Sequence, residues 1–519
     1  MSLHIVRRAH SAPVLVACLA ALVLLSPSPA TAQDALTTVR AYQAAHGPAI
    51  LREFSELLSL PNVASDLLGI EANAEYIQAQ MQSVGIDTEL WRLPGTPPAI
   101  YGALDTPGAT RTIGIYIHYD GQPADPSNWT HGPWDPTLYD RAMPAGGQPI
   151  TMPADGDAVD PEWRLYARSA GDDKAPLGAL IPVMRALNDA AITPTANLRF
   201  FLEGQEEAGS ERLGEYLSAH RAELDEIDVW LFFDGPVHQS GRPQITFGVR
   251  GVTGMDLTTY GPRRPLHSGH YGNWAPVPGQ LMADLLASMK DGDTGEILVA
   301  GYYDTVEPLG EMERAALAAA PDYDRELQAE LALGRTEGAP ASLAERLLLP
   351  SLTVRGLSSG NVGALARNVI PSTADAVLGM RLVKGNDPSH MQDLVEAHIR
   401  SQGFHIVYEE PTDDVLRNHE KVIRVQRQSG YPAARTEMDH PAVQPIIAAA
   451  RQATDQELVL LPALGGSLPL YLFTDILGKP ALIVPVANHD NNQHAPDENL
   501  RVANLWYAMD LYATLLTAR

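Results

Sequence analysis

The chain has 519 residues, a length that predicts more than one domain, and its 45% hydrophobic and 19% charged residues indicate a globular protein rather than a disordered one. The formal charge of −26 opposes binding to nucleic acid or to an anionic membrane, so we expect neither partner. Bound cations would offset part of this charge.

The N-terminus has the layout of a secretory signal peptide. Arg7 and Arg8 precede an apolar run at 14–25, and the small residues "ATA" follow at 30–32. Because this run is short for a membrane span, we predict a signal peptide at 1–32 with cleavage near Ala32 and Gln33. The mature protein is then periplasmic or secreted, with no stable membrane insertion. An uncleaved anchor and a lipoprotein signal at Cys18 are the alternatives.

Cleavage would remove the only cysteine, Cys18. The mature chain would then contain neither a disulfide nor a cysteine metal site, so any metal ion must be bound by His, Asp and Glu. Because residues 1–32 carry two Arg and no acid, the formal charge would change from −26 to −28.

Helical and strand patterns alternate in the first half of the mature chain. Apolar residues recur at helical spacing in "IEANAEYIQAQMQSVG" (70–85) and "DDKAPLGALIPVMRALNDA" (172–190). Three apolar strands end in polar residues and Gly: "TIGIYIHYDG" (112–121), "NLRFFLEG" (197–204) and "VWLFFDG" (229–235). The alternation predicts an α/β domain with a mainly parallel sheet. The segment 141–160, rich in Pro and Gly, predicts a long loop that either forms a pocket wall or is an inert surface segment.

The pattern changes after residue 249. Strand and helix patterns such as "GMDLTTYG", "PGQLMADLLASMK" and "ADAVLGMRLV" predict a smaller α+β unit with an antiparallel sheet. The segments "HPAVQPIIAAARQAT" and "PALIVPVANHD" then return to the α/β pattern. We therefore predict a catalytic domain formed by residues 33–248 and 413–519, with residues 249–412 inserted as a second domain.

Polar side chains follow three of the predicted strands. In a parallel sheet the carboxyl ends of the strands lie at one edge, where ligands bind. The side chains expected at this edge are His118 and Asp120, Glu206 and Glu207, and Asp234. Their clustering predicts a functional site.

Each of the candidate residues also has an ordinary interpretation. Asp172 at a helix start and Asp234 at a strand end are typical caps, and His494 in a polar loop is typical of a solvated side chain. Together, however, two His and several carboxylates without Cys suit Zn²⁺, Co²⁺ or Mn²⁺. Two such ions about 3.5–4 Å apart form a known hydrolytic arrangement.

Eight motifs in order make the sequence similar to a known family. They are "HYD", "RSAGDDK", "EGQEEAGS", "FFDGP", "LHSGHYG", "NVIPSTADAVLGMRL", "GGSLP" and "HAPDEN". The chain resembles the carnosinase-like and cytosolic non-specific dipeptidase-like branch of the di-zinc exopeptidases, which also include glutamate carboxypeptidase, aminoacylase and succinyl-diaminopimelate desuccinylase. The resemblance implies a zinc-exopeptidase-like α/β catalytic domain, interrupted by an α+β ferredoxin-like lid through which the subunits form a homodimer.

The resemblance also implies the roles of individual residues. Two metal ions per subunit, with Zn²⁺ expected and Mn²⁺ or Co²⁺ as alternatives, would be bound by His118 and Asp234, by Glu207 and His494, and by a bridging Asp172. Asp120 would support His118, and Glu206 would be the general base. From the lid, His267 would stabilise the oxyanion, in its own subunit or across a dimer. The substrate carboxylate would be held by Arg381, Gly465, Gly466 and Ser467.

The predicted function is the hydrolysis of an amide bond next to a free carboxylate, by a dipeptidase or carboxypeptidase acting on small peptides. An N-acyl-amino-acid deacylase with the same residues is the first alternative, and a non-catalytic peptide- or metal-binding protein is the second. The family often has an arginine just before "GGS", whereas this chain has Ala463 and Leu464. That departure leaves strict dipeptidase specificity open.

Overall fold

The computed structural model describes Met1 and residues 31–518. The predicted signal peptide at 1–32 lies almost entirely outside the described residues. Within the described part of the chain, no helix is both long enough and apolar enough to cross a membrane.

The helices are α1 Ala32–Leu58, α2 Leu67–Ser83, α3 Ala175–Asp189, α4 Leu213–Ala219, α5 Arg221–Leu224, α6 Ser268–Tyr271, α7 Pro278–Met289, α8 Glu311–Ala319, α9 Asp324–Glu330, α10 Leu343–Arg346, α11 Pro388–Ser401, α12 Asp413–Asn418, α13 Gln444–Gln452 and α14 Val502–Thr517.

An eight-stranded, mainly parallel sheet forms the larger unit, as predicted. Its strands, in spatial order, are β1 Asp87–Trp91, β2 Ala99–Leu104, β6 Asn197–Glu203, β3 Thr112–His118, β7 Val229–Phe232, β19 Ala481–Ile483, β8 Gln244–Thr246 and β18 Val459–Leu461. The central strand β3 is parallel to both of its neighbours, β6 and β7, and all of its residues are buried. Such burial requires cover on both faces of the sheet.

Two apolar layers supply this cover. One face packs against α1, α3 and α14 through residues such as Leu51, Leu180 and Leu511. The other face carries an aromatic layer in which Tyr116 and Phe232 stack at 4.3 Å and Phe473 packs edge-on. The strands therefore lie in a rigid scaffold whose carboxyl ends hold the site described below.

A five-stranded sheet forms the smaller unit. Its spatial order is β12 Ser351–Ser358, β14 Thr373–Leu382, β10 Gly251–Tyr260, β16 Val422–Arg427 and β15 His405–Val407. The sheet is antiparallel except that β15 and β16 pair in parallel. Because β16 pairs with β10, the smaller sheet extends past residue 412, where the sequence interpretation ended the lid.

The smaller sheet has one face covered by helices. On β14 the residues alternate between buried, such as Leu378 and Met380, and exposed, such as Arg381. The buried ones pack against α7 and α11, so Arg381 lies on the opposite, uncovered face.

Short strand pairs complete the structure. The chain enters and leaves the smaller unit side by side, because β9 Gly248–Val249 pairs with β17 Ala434–Arg435. An added Cβ at Gly248 would lie 2.2 Å from the Ala434 carbonyl oxygen, so only glycine allows this close approach. Of the two other small sheets, one pairs β11 Leu266–His267 with β13 Val369–Ile370. The other has three strands, with β5 Arg164–Tyr166 between β20 Asn499–Arg501 and β4 Thr137–Tyr139.

The Pro- and Gly-rich segment 141–160 forms a long loop whose only regular element is the 3-10 turn Met143–Ala145. It contacts α1, where Arg52 Nη1 donates to the Pro153 carbonyl oxygen at 2.8 Å and the Val159 side chain lies against Gly47. It also contacts β4 and β5, because the Ile150 N–H donates to the Leu138 carbonyl oxygen and the Met143 N–H to the Tyr166 hydroxyl, both at 2.8 Å. Ile150 and Met152 also pack against the main core. These contacts pack the segment onto the larger unit, and its two possible roles, pocket wall and surface loop, stay predictions.

Candidate metal centre

The site lies at the carboxyl edge of the large sheet. His118 is the last residue of β3, and Asp234 follows the end of β7 by two residues. Glu206 and Glu207 follow the end of β6, the other parallel neighbour of β3. The topology therefore brings these polar strand ends together, where an α/β sheet binds its ligands.

His118, Asp172 and Asp234 form a first candidate group of metal ligands, and all three side chains are buried. His118 Nε2 lies 2.9 Å from Asp172 Oδ1 and 3.8 Å from Asp234 Oδ2. One ligand atom from each residue lies within 4.8 Å of the others. This spacing fits a single ion held by one imidazole and two carboxylates.

Asp172, Glu207 and His494 form a second group with the same spacing. His494 Nε2 lies 3.1 Å from Asp172 Oδ2 and 3.2 Å from Glu207 Oε2. The two oxygens of Asp172 thus face different groups, Oδ1 toward His118 and Oδ2 toward His494. A carboxylate shared in this way is suited to bridge two cations.

The charges in the cluster fit cations as well. Burial and the neighbouring Asp172 raise the pKa of Asp234 to about 7, which reflects the cost of crowding carboxylates away from water. Although burial opposes it, hydrogen bonding by His118 and His494 holds the pKa of Asp172 below its ordinary value. A donor set of two imidazoles and three carboxylates suits Zn²⁺, Mn²⁺ or Co²⁺.

Asp120 joins the two halves of the cluster. Its carboxylate accepts hydrogen bonds from the backbone N–H groups of Glu206 and Glu207, both at 3.0 Å. Asp120 Oδ1 also lies 3.4 Å from His118 Nδ1. It therefore lies against the His118 ring and fixes the turn that carries both glutamates.

Glu206 lies outside both ligand groups, in the turn that follows β6. This turn is closed by the Gly209 N–H donating to the Glu206 carbonyl oxygen at 2.7 Å, so both glutamates lie in a turn and not on strand β6. Burial, together with the charges of Asp234 and Glu207, raises the pKa of Glu206 well above its ordinary value, while His118 opposes the rise. A carboxylate in this position is suited to accept a proton.

Glu203, the third acid of "FLEGQEEAGS", is the last residue of β6 and is buried. The Tyr116 hydroxyl donates to Glu203 Oε2 at 2.6 Å. Burial raises the pKa of Glu203 to about 7. It belongs to neither ligand group, and its hydrogen bond with Tyr116 indicates a structural role next to the site.

Sequence reasoning missed Glu498, which holds the loop that carries Asp172. Its buried carboxylate accepts from the backbone N–H groups of Gly171 and Asp172, both at 3.0 Å, and from Ser169 at 3.1 Å. Arg168 Nη1 donates to Glu498 at 2.7 Å. The only signal in the sequence was an acid four residues after His494, in the motif "HAPDEN".

We expect Glu498→Gln to destabilise the protein and weaken metal binding. The change leaves Arg168 buried beside a neutral group, which should lower the free energy of unfolding by about 3 kcal/mol. Loss of the loop's anchor should lower metal affinity about 10- to 100-fold. Chemical denaturation and competition with a chelator measure the two effects. The matched control is Glu162→Gln, which removes an exposed pair with Arg501 and should cost less than about 1 kcal/mol.

The predicted substrate-binding residues lie between the two sheets. Arg381 on β14 donates from Nη1 to the Ser467 hydroxyl, so a strand of the smaller sheet reaches the "GGS" loop. The loop is held from below, because the Arg250 N–H donates to the Gly466 carbonyl oxygen at 3.2 Å and Gly465 lies against Leu347. This juxtaposition presents a guanidinium and a hydroxyl together.

His267 is placed differently. It lies on β11 of the smaller unit and is exposed. Its described contacts are local: Nδ1 accepts from the Gly269 N–H at 3.1 Å, and the ring lies 4.5 Å from that of His270. The candidate ligands are thus brought together within one chain, whereas His267 presents its ring to the surface.

The family described as "Peptidase family M20/M25/M40" matches residues 114–518. The Cys-Gly metallodipeptidase of Candida albicans is 26% identical over 488 residues, which cover 88% of this chain and 92% of that protein. The Beta-Ala-His dipeptidase of Homo sapiens is 25% identical, covering 88% and 84%. A solved metallo-carboxypeptidase from Sulfolobus solfataricus has a TM-score of 0.71 and 26% identity, covering 90% of this chain and 98% of that one.

Proposed function

Because the chain belongs to the peptidase family M20/M25/M40 and is a metal-dependent peptidase, we propose that it cleaves the C-terminal amide bond of small peptides with two divalent cations per subunit. Dipeptides are the proposed principal substrates, in keeping with the names of the fungal and human relatives. The observation that carries the proposal is the pair of ligand groups that share Asp172, with Glu206 beside them.

The residues of the site have separate roles in the proposed reaction. Bound Zn²⁺, or Mn²⁺ or Co²⁺ in its place, would neutralise the clustered carboxylates and lower the pKa of the attacking water. Glu206 accepts the proton of that water and passes it to the leaving amine. Asp120 keeps Glu206 in place through its backbone, and the Arg381 guanidinium with Ser467 holds the free carboxylate of the substrate.

A substrate panel tests the proposal. The metal-loaded protein is incubated with dipeptides, longer peptides and N-acyl amino acids, and the released amino acids are quantified. Preferential release from dipeptides or from peptide C-termini supports the proposal. Release from N-acyl amino acids alone would identify a deacylase instead, and no turnover of any compound would favour a binding protein.

Arg381→Lys tests the carboxylate contact. Lysine keeps the charge but loses the planar, bidentate donor geometry, so kcat/KM for a free dipeptide should fall about 10- to 100-fold. The same dipeptide with an amidated C-terminus should be a poor substrate for the wild type and almost unaffected by the substitution. Arg400→Lys, on the exposed side of α11, is the matched control. Equal losses on free and amidated peptides would contradict this role.

We also propose a homodimer formed through the smaller unit. Its edge strand β12 exposes Val354 and Leu357, and the connections near His267 expose Trp274, Val362 and Leu365. An unpaired edge with exposed apolar side chains favours pairing with a second copy. Sedimentation of the wild type and of Leu357→Glu measures the assembly, with a monomeric variant as the expected result. Loss of turnover on dissociation would favour His267 acting across the dimer.

Export is the last part of the proposal and depends on the N-terminal sequence pattern. N-terminal sequencing of the protein from a periplasmic or secreted fraction should find a chain that begins near Gln33. A chain that retains residues 1–32 would contradict export by a cleaved signal peptide, and a chain that is lipid-modified at Cys18 would contradict cleavage near Gln33.

A further inference from the structure

Two tyrosines without a role in the proposed reaction lie beside the predicted carboxylate contact. The rings of Tyr431 and Tyr471 stack with centroids 5.1 Å apart and planes 9° from parallel. Both side chains are partly exposed, so one part of each ring remains available to a ligand. Tyr471 follows Ser467 by four residues, and Tyr431 lies in the segment that returns from the smaller sheet.

The backbone register places Tyr431 on the same sheet face as Arg381. Val252 of β10 pairs with Arg381 on one side and with Tyr431 on the other. The second pairing is a complete one, since the N–H of each residue donates to the carbonyl of the other at 2.9 and 3.0 Å. Directly paired residues project to the same face, and this is the face that the helices of the smaller unit leave uncovered.

The electrostatic surroundings agree with this geometry. Burial and the charge of Glu206 raise the pKa of Tyr431, while Ser467 and Arg381 oppose the rise. Tyr431 therefore lies near both the proton acceptor of the proposed reaction and the residues proposed to hold the substrate carboxylate. The space between those two points is where the last residue of a bound peptide must lie.

We propose that Tyr431 and Tyr471 form an aromatic wall that binds the side chain of the substrate's C-terminal residue and favours large apolar or aromatic side chains there. The proposal rests on the proposed function, which places the free carboxylate at Arg381 and Ser467 and the broken amide near Glu206. The C-terminal residue spans these two points, so its side chain emerges beside the stacked rings. Aromatic and aliphatic groups gain most from such a surface, because they bury area against it and aromatic rings stack on it.

The experiment uses the metal-loaded full protein and three dipeptides with a common first residue: Ala-Gly, Ala-Leu and Ala-Phe. In the wild type we expect kcat/KM for Ala-Phe to exceed that for Ala-Gly by about 10-fold or more. Tyr431→Ala and Tyr471→Ala should each lower kcat/KM for Ala-Phe by about 10-fold, chiefly through KM, and change it for Ala-Gly by less than about 3-fold. Tyr431→Leu keeps an apolar surface and should retain part of the preference for Ala-Leu.

Controls distinguish a loss of side-chain recognition from a loss of structure and from a failure of the proposed function. Tyr408→Ala removes an exposed tyrosine of the smaller unit and should leave the ratio between the dipeptides unchanged. Inhibition by free amino acids is a second readout, which does not depend on a change in turnover. Free phenylalanine should inhibit more strongly than free glycine, but only when both tyrosines are present. The proposed wall is overturned if the wild type cleaves the three dipeptides with equal kcat/KM. It is also overturned if the variants lower kcat/KM equally for all three. If no peptide is cleaved by the wild type, the proposed function itself fails.

Discussion

Glu206→Gln is expected to lower kcat by about a thousand-fold while the protein keeps its metal ions. The amide of Gln has almost the shape of the carboxylate but cannot accept the proton of the attacking water, and general-base contributions are about 10²- to 10⁴-fold. Metal content should stay at the wild-type level, because Glu206 lies outside both ligand groups.

Steady-state kinetics with a dipeptide and elemental analysis of the purified variant measure the two quantities. The matched control is Glu211→Gln, an exposed glutamate five residues further along the same segment, which should behave as wild type. A variant at position 206 that turns over at nearly the normal rate would rule out the base. One that loses its metal ions would show instead that Glu206 is a ligand.

Asp172→Asn is expected to have the opposite signature, in which metal and activity are lost together. Asp172 is the only residue common to the two ligand groups, and each of its oxygens faces a different histidine. Removing its charge weakens both ion sites at once. The activity should fall about a thousand-fold or more, equivalent to about 4 kcal/mol of transition-state stabilisation.

Titration calorimetry with Zn²⁺ or Mn²⁺ distinguishes this outcome from a folding defect, provided that circular dichroism of the variant matches the wild type. Asp225→Asn is the control, since Asp225 forms an exposed pair with Arg221 and belongs to neither group. An Asp172 variant that still binds two ions with unchanged affinity would contradict a shared ligand.

The scaffold of the site was predictable because its central strands are almost entirely buried. The apolar runs of β3, β6 and β7 end abruptly in polar residues, and an α/β pattern requires those ends to meet at one edge. The candidate ligands, two histidines and several carboxylates without cysteine, then restricted the type of metal ion. The roles of single residues depended on the motifs, because a lone Asp172 or His494 has the pattern of an ordinary cap or loop residue.

The support of the site was not predictable from local patterns. Glu498 contacts the Asp172 backbone across 326 positions of sequence, and Gln493 donates to Asp172 Oδ2 at 2.7 Å across 321. Hydrophobic periodicity carries no information on such polar contacts. Likewise, the register that pairs Val252 with both Arg381 and Tyr431 depends on the packing of the whole smaller sheet.

Some regular elements were also missed, for local reasons. Helix α1 continues through Gly47 and Pro48, a pair that weakens the helical signal, and tertiary packing of residues such as Leu51 and Phe54 maintains it. The edge strand β1 is mostly polar and alternates between exposed and half-buried residues, so no apolar run marks it. Strand β16 was assigned to the wrong side of the boundary, because only its pairing with β10 identifies its sheet.

A metal titration of turnover tests the two-metal site most directly. The protein is freed of metal by dialysis against a chelator, and hydrolysis of a dipeptide is measured as Zn²⁺, Mn²⁺ or Co²⁺ is added back in fractions of an equivalent. We expect no hydrolysis without metal and full recovery at two equivalents per chain, a stoichiometry set by the two ligand groups that share Asp172. Hydrolysis that persists after complete removal of metal would contradict a metal-dependent reaction at this site.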